Sequence, residues 1–221
     1  MWLIFKMVGR ILSADSVWVS AMARDSSLLQ LNLDYDVKDP ARLAAREKRM
    51  PRDDELPATI FARYKDAPIT ELPEFFGGGA IAVFSGKLAS PFFRHDLGDT
   101  HVVPVQILDY ERENQLFAER NYHCITRFTV FEALAPDESP RIGENALGTP
   151  PPWNFPINPK GGAPNPRDGD IAVHARALKG PLIWYDEQLS GGIFFRGDLV
   201  EEMDAAGVAE HWQLKKCKIV D

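Results

Sequence analysis

Prolines at 150, 151, 152, 156, 159, 164 and 166 fall inside one stretch, residues 136–169, and limit the fold more than any other sequence feature. Each locks φ and removes a backbone donor, so this stretch is neither helix nor central strand. Loops of that length in compact domains are usually functional or disordered. Trp153 and Phe155 argue against disorder, because large aromatic side chains seek an apolar bed. The expectation is a long loop laid across the body of the protein.

The remaining chain must fold from short segments. Runs rich in Val, Ile, Trp and Phe with polar bounds read as strands at 2–12, 16–22, 59–64, 80–84, 101–110 and 121–131. Others follow at 170–178, 182–185, 193–195 and 212–220, the first two forming a hairpin that turns at Lys179–Gly180. Val103, Val105 and Ile107 alternate onto one face, and Pro104 between them signals a sheet edge or a bulge. Three short helices are expected. One covers 41–49, capped by Asp39 and stopped by Pro51. One lies within 85–97, with Leu88, Phe92 and His95 on one side and Pro91 as a kink or a second start. The last opens at Asp198 with Glu201 completing a capping box, buries Leu199, Val200, Met203 and Ala206, and ends at Gly207. The fold class is α+β: a mostly antiparallel sheet with a few short helices, in one domain over 1–221.

Residues 77–109 and 190–221 read as two copies of one strand–helix–strand module. Each runs glycine pair, short strand, helix, glycine stop, strand. Phe84, Gly86 and Leu88 match Phe195, Gly197 and Leu199 without a gap. The separation far exceeds the 20–50 residue periods of solenoids.

With 221 residues, 45% of them hydrophobic, the chain buries a sizeable core without disulfide or metal. A net charge of −7 argues against nucleic acid as a partner and suits a basic protein partner or simple solubility. Cys124 and Cys217 are too few and too far apart for a disulfide framework or a zinc site. Lys6 and Arg10 interrupt the apolar N-terminal run, which fits no signal peptide, and no run is long enough to span a bilayer. Cytoplasmic location, with no membrane partner, is the expectation.

No motif with catalytic chemistry is present. The triplet Gly77–Gly79 lacks the Lys–Ser/Thr that would hold a phosphate. The five histidines show no i,i+4 pair, so neither metal nor cofactor is expected. His123 with Arg127, and His174 with Arg176, share single strand faces and would form an anion patch if their strands were neighbours. Tyr122 and Cys124 then point to the core. Carboxylates cluster at Asp34/Asp36, Asp53/Asp54/Glu55, Asp109/Glu111/Glu113 and Glu201/Glu202/Asp204, mostly as hydrated surface. The first two clusters lie in loop-like segments, where binding residues concentrate.

Ile81–Ser85 through Val103–Ile107 reads as an apolar strand, a Ser-led helix, Gly-x-x-His and a strand containing Pro-Val-x-Ile. With Gly192–Phe195, Leu199–Met203 and Ala206–Gly207, this pattern resembles the immunity proteins of bacterial polymorphic toxin systems, type eleven, formerly a domain of unknown function. The resemblance covers 77–130 and 170–221; the proline-rich loop and 24–66 do not fit it. It implies a non-enzymatic cytosolic inhibitor that binds a cognate toxin and has no catalytic residues. Asp34, Tyr35, Asp36, Asp53, Asp54, Trp153 and Phe155 are the partner-binding candidates, as loop charges and aromatic anchors. The alternatives are a hydrolase-like enzyme using His174 or His123 with a loop carboxylate, and a homo-oligomeric structural protein burying its β-edges and Trp153 against a twin.

Overall fold

The computed structural model describes residues 13–21, 31–36, 38–47, 49–78, 81–144, 151, 153–155 and 166–221. The strand expected at 2–12 lies outside them, as does most of the proline cluster. The protein is mixed α/β, with mostly antiparallel sheets and short helices. Where the sequence reads as one domain, the chain forms two compact units. One is residues 24–128; the other joins 1–23 to 129–221.

The first strand, β1 (Val17–Ala21), belongs to the second of these units. Unit 24–128 carries β2 (Leu33–Tyr35), α1 (Pro40–Arg46), β3 (Ala58–Ala62), β4 (Phe75–Gly78), β5 (Ile81–Phe84), α2 (Gly86–Ala89), β6 (His101–Leu108) and β7 (His123–Arg127). They make one six-stranded sheet ordered β2-β3-β6-β7-β5-β4. All pairs are antiparallel except β3 with β6. Alternation along β6 sends Val103, Val105 and Ile107 into a core with Leu33, Ile60, Val83, Tyr122 and Cys124, as their spacing predicts.

Of the two alternatives read from Pro104, the sheet edge does not hold, because β6 is an interior strand, while the β6–β7 register does shift just before it, between His101 and Val102. Pairing with β3 begins only at Ala58↔Val105, and the Val105 N–H turns the other way, to the carbonyl of Tyr122, the residue before β7. The missing donor of Pro104 therefore points past the start of β3, where no ladder bond is lost. The helix expected within 85–97 is broken: α2 stops at Ala89, and Pro91 opens a single 3-10 turn at Phe92–Arg94. Leu88 and Phe92 are buried, with the Phe92 ring 5.6 Å from that of Phe84. Asp39 caps α1 as expected, accepting the Arg42 N–H at 3.2 Å.

The other unit adds β8 (Gly143–Glu144), β9 (Trp153–Asn154), β10 (Ala172–His174), β11 (Ile183–Tyr185), β12 (Leu189–Ser190), β13 (Gly192–Arg196), α3 (Gly197–Ala205), β14 (Lys215–Lys216) and β15 (Lys218–Val220). One sheet is ordered β11-β13-β1-β14; β10 pairs with β15, and β12-β9-β8 form a third. The proline-rich loop is thus tied down at 143–144 and 153–154. β10 and β11 do not form the expected hairpin: a 3-10 turn, Ala175–Lys179, separates them and they join different sheets. α3 packs on β13 and β1 through Leu199, Val200 and Met203, all fully buried. Asp198 does not cap it; Arg196 holds that place, and its guanidinium binds the Asp198 carboxylate at 2.6 Å. Gly207 ends the helix at φ +68, a geometry that costs glycine little. Trp184 stacks on Phe194 in this unit's core, and Phe195 meets Trp212 edge-on.

Candidate functional site

Exposed aromatic and cationic side chains gather in unit 24–128 where β3 and β6 end. The two strands are parallel and level, with Phe61 opposite Leu108. Beyond β6 the chain reverses over 109–114. The Asp109 carboxylate accepts the Glu113 N–H at 2.9 Å and the Asn114 amide at 2.6 Å. Those hydrogen bonds, the Asn114 side chain first, hold the Asp109 carboxyl below the usual range. The turn puts Arg112 in left-handed backbone, φ 62. Its guanidinium then lies 3.8 Å over the Phe61 ring and 3.6 Å from the Asp36 carboxylate. Beside it, Arg63 faces the Tyr64 ring at 5.3 Å and Lys65 pairs with Glu111 at 2.9 Å. Tyr64 and Tyr110 are each 48% exposed. Tyr and Arg side chains carry a disproportionate share of binding energy at protein interfaces.

The residues expected from sequence divide sharply. Asp36 belongs to this surface. Asp34 sits on β2 and accepts the Tyr35 N–H at 2.8 Å. Tyr35 is half-buried against the core, with the Arg42 guanidinium 3.6 Å over its ring, so it holds structure in place. Asp53 and Asp54 are exposed in a 3-10 turn, Asp53–Glu55, and Asp54 pairs with Arg52 at 3.2 Å. Glu55 is the buried member. It takes both Arg49 terminal nitrogens at 2.6 and 2.7 Å and the Arg52 N–H at 2.9 Å. These bonds, Arg49 first, bring the pKa of the Glu55 carboxyl down to about 2 and raise the pKa of the Arg49 guanidinium. Each acidic cluster therefore brings its own arginines, and neither is a plain negative face.

Trp153 and Phe155 do not serve as exposed anchors. Phe155 is 4% exposed within the core of its unit, and Trp153 is half-buried against the same core. The long loop supplies packing there.

The anion patch fails for a topological reason. β7 is hydrogen-bonded to β5 and β6, and β10 to β15, so the two strands are not neighbours. Arg176 lies off the strand, in the 175–179 turn. Arg127 reaches Asp99 at 3.8 Å. His123 meets the Phe93 ring edge-on at 5.0 Å, and His174 Nδ1 lies 3.3 Å from the main-chain oxygen of Asp221. Neither contact is with a side-chain carboxylate. Burial lowers the pKa of His123; burial and then Arg127 lower that of His101, which faces Arg127 across β6 and β7. Tyr122 and Cys124 are core, as expected, and burial pushes the Cys124 thiol up to about 12. Burial raises the Cys217 thiol as well.

Among the described residues, no three His, Cys, Asp or Glu side chains are grouped to hold a metal, and no helix is long and apolar enough to cross a membrane. Arg112 was missed by sequence reasoning. Its signal is the Asp109–Asn114 turn closing a strand end, which aims whatever residue precedes the close. No family model matches the chain, and no curated protein matches it.

Proposed function

We propose that this chain acts by covering another protein, as a cytosolic immunity protein covers its cognate toxin. One observation carries the reading: an exposed Tyr64–Tyr110–Arg112 surface at the end of β3 and β6. The sequence resemblance described above supplies the partner class. Half-exposed tyrosines beside a pre-oriented guanidinium offer large contact area at low ordering cost. The acidic candidate Asp36 acts at its margin, where it steers a basic partner; Asp53 and Asp54 lie before the start of β3, at the other end of that strand. The test is co-expression with the toxin domain encoded beside this chain. Wild type restores growth, while Tyr64→Ala/Tyr110→Ala/Arg112→Ala, folded and melting within a few degrees of wild type, does not. Equal protection by both proteins removes this surface from the interface. Turnover of a small molecule by the pure protein, lost on changing one histidine, overturns the reading altogether.

We also propose that two parts of the chain share one origin. Segments 77–109 and 190–221 are copies of one strand–helix–strand module. Both have a short strand leading without a loop into a helix that starts at glycine, Gly86 or Gly197. In both, the residue before that glycine donates its N–H across the preceding strand, Ser85 to the Glu74 carbonyl and Arg196 to the Leu182 carbonyl, each at 2.9 Å.

A further inference from the structure

We infer that β1 is the displaced counterpart of β7: the duplication covers a whole six-strand unit, and the N-terminal strand closes the C-terminal copy. This rests on the module pairing proposed above and extends it to strands that the sequence pattern does not reach. In unit 24–128, β7 lies antiparallel between β5 and β6, and β6 runs parallel to β3. In the other unit, β1 lies antiparallel between β13 and β14, and β15, which follows β14 after Cys217, runs parallel to β10. Leu134 bridges Val173 of β10 antiparallel, as β2 pairs with β3.

The registers agree as well as the order. Phe84 and Pro104 both face His123; Phe195 and Lys216 both face Trp18. Val103 faces Cys124, and Lys215 faces Val19. The Val105 N–H donates to the Tyr122 carbonyl and the Cys217 N–H to the Val17 carbonyl, each at 2.8 Å. Ile60 faces Ile107, and Val173 faces Ile219. A slip of one residue on any strand would turn its side chains to the other face, so a shared strand order alone does not dictate agreement at every pair.

Two further details match outside the ladders. The strand parallel to β6 or β15 is held at its start by a polar side chain from the preceding segment: Thr59 N–H to Asp39 at 2.8 Å, Ala172 N–H to Ser139 at 2.9 Å. Each helix-opening glycine is crowded by the turn entering the interposed strand. A Cβ on Gly86 would lie 3.2 Å from Asn121; one on Gly197 would overlap the Ser13 oxygen and sit 2.6 Å from Ser16 Oγ. Asn121 precedes β7 as Ser13–Ser16 precede β1.

The test is a circular permutant that begins at residue 24 and appends residues 1–23 after Asp221. Residues 1–16 then link β15 to β1 as 109–122 link β6 to β7, and a second version adds a Gly/Ser linker at the junction. At least one version is expected to match the parent in circular dichroism, melting temperature and urea slope. Both versions unfolded would overturn the inference. Native-state hydrogen exchange on the unaltered chain gives an independent reading: β1 amides open together with those of β13 and β15. β1 opening alone, well below its neighbours, would also overturn it. Failure of the underlying module pairing looks different. Gly86→Ala would then stabilise the protein while Gly197→Ala destabilised it, whatever the permutant did.

Discussion

The core of the unit formed by 1–23 and 129–221 and the exposed end of unit 24–128 are built on opposite principles. The first fills its interior with Trp18, Trp184 and Trp212, none more than 1% exposed. The second arranges Asp36, Arg112, Lys65 and Glu111 so that charges at its surface meet in pairs and leave tyrosines standing clear. Removing a fully buried large apolar side chain costs several kcal/mol, whereas a half-exposed ion pair is worth about 0–1 kcal/mol. Stability is therefore concentrated in buried rings, and the surface at the end of β3 and β6 is left adjustable. That separation suits the proposed binding role, because interface residues can change without unfolding the scaffold.

The sharpest break of this contrast is Trp184→Ala. The ring is stacked on Phe194 at 5.3 Å and met edge-on by Phe131 at 5.8 Å. Its loss leaves a cavity that rigid neighbours fill poorly. The expected cost is about 3–5 kcal/mol in urea unfolding. A cost below about 1 kcal/mol would mean the tryptophan core does not bear the stability assigned to it.

The glycines that open α2 and α3 come next. Gly197→Ala must push back the turn at Ser13–Ser16, backbone included, for about 1–3 kcal/mol. Gly86→Ala meets Asn121 at 3.2 Å, a contact that small shifts relieve. Part of its cost is offset by the better helix propensity of alanine, leaving a loss of about 1 kcal/mol or less. Equal effects would show that the two helix starts are crowded alike.

These glycines also show what could be read in advance. Alternation in β6 and the stripe of α3 were legible, because each is set by residues two to four apart. The seats of Pro104, Asp198 and the 170–185 segment were not. Pro104 and 170–185 depend on partners far along the chain, the start of β3 for Pro104 and the slot beside β15 for β10, whereas Asp198 is taken up by the guanidinium of Arg196 only two residues away. At the surface, Asp36 was legible as an exposed acid, but its cation was not, since Arg112 arrives from another strand end. Trp153 and Phe155 read both as loop aromatics seeking an apolar bed and as anchors for a partner. The bed is the core of their own unit, which local pattern could suggest but not locate.

Acid separates the regions further. The Glu55 carboxyl is held at about 2, below an ordinary value near 4.5, by hydrogen bonds from Arg49 and then the Arg52 N–H. A depressed carboxyl pKa contributes stability that is complete above the unfolded value and is lost as pH falls toward the folded one. Stability should thus decline between about pH 4.5 and 2. Glu55→Gln should flatten that part of the curve, leaving the contributions of Asp109 in the same unit and of Asp198, also depressed by its Arg196 hydrogen bond, in the other. An unchanged acid slope would show that the arginine clamp on Glu55 does not persist in solution.

The smallest effects belong to the surface itself. Asp36 and Arg112 are 3.6 Å apart with side chains 41% and 49% exposed, so water screens their attraction. Asp36→Asn should change stability by less than about 0.5 kcal/mol. Arg112→Ala also loses the stack on Phe61, for roughly 0.5–1 kcal/mol. If the proposed toxin partner is right, titration with it should respond in the reverse order of rank: a large loss of affinity for Arg112→Ala, and almost none for Gly86→Ala, which is felt only inside the fold. If Arg112→Ala instead costs more than about 2 kcal/mol, beyond the range of an exposed cation on a ring, the guanidinium is holding β3 to β6 and is not free to meet a partner. The two kinds of construction would then have met at one residue, and the surface at the end of β3 would be structure first.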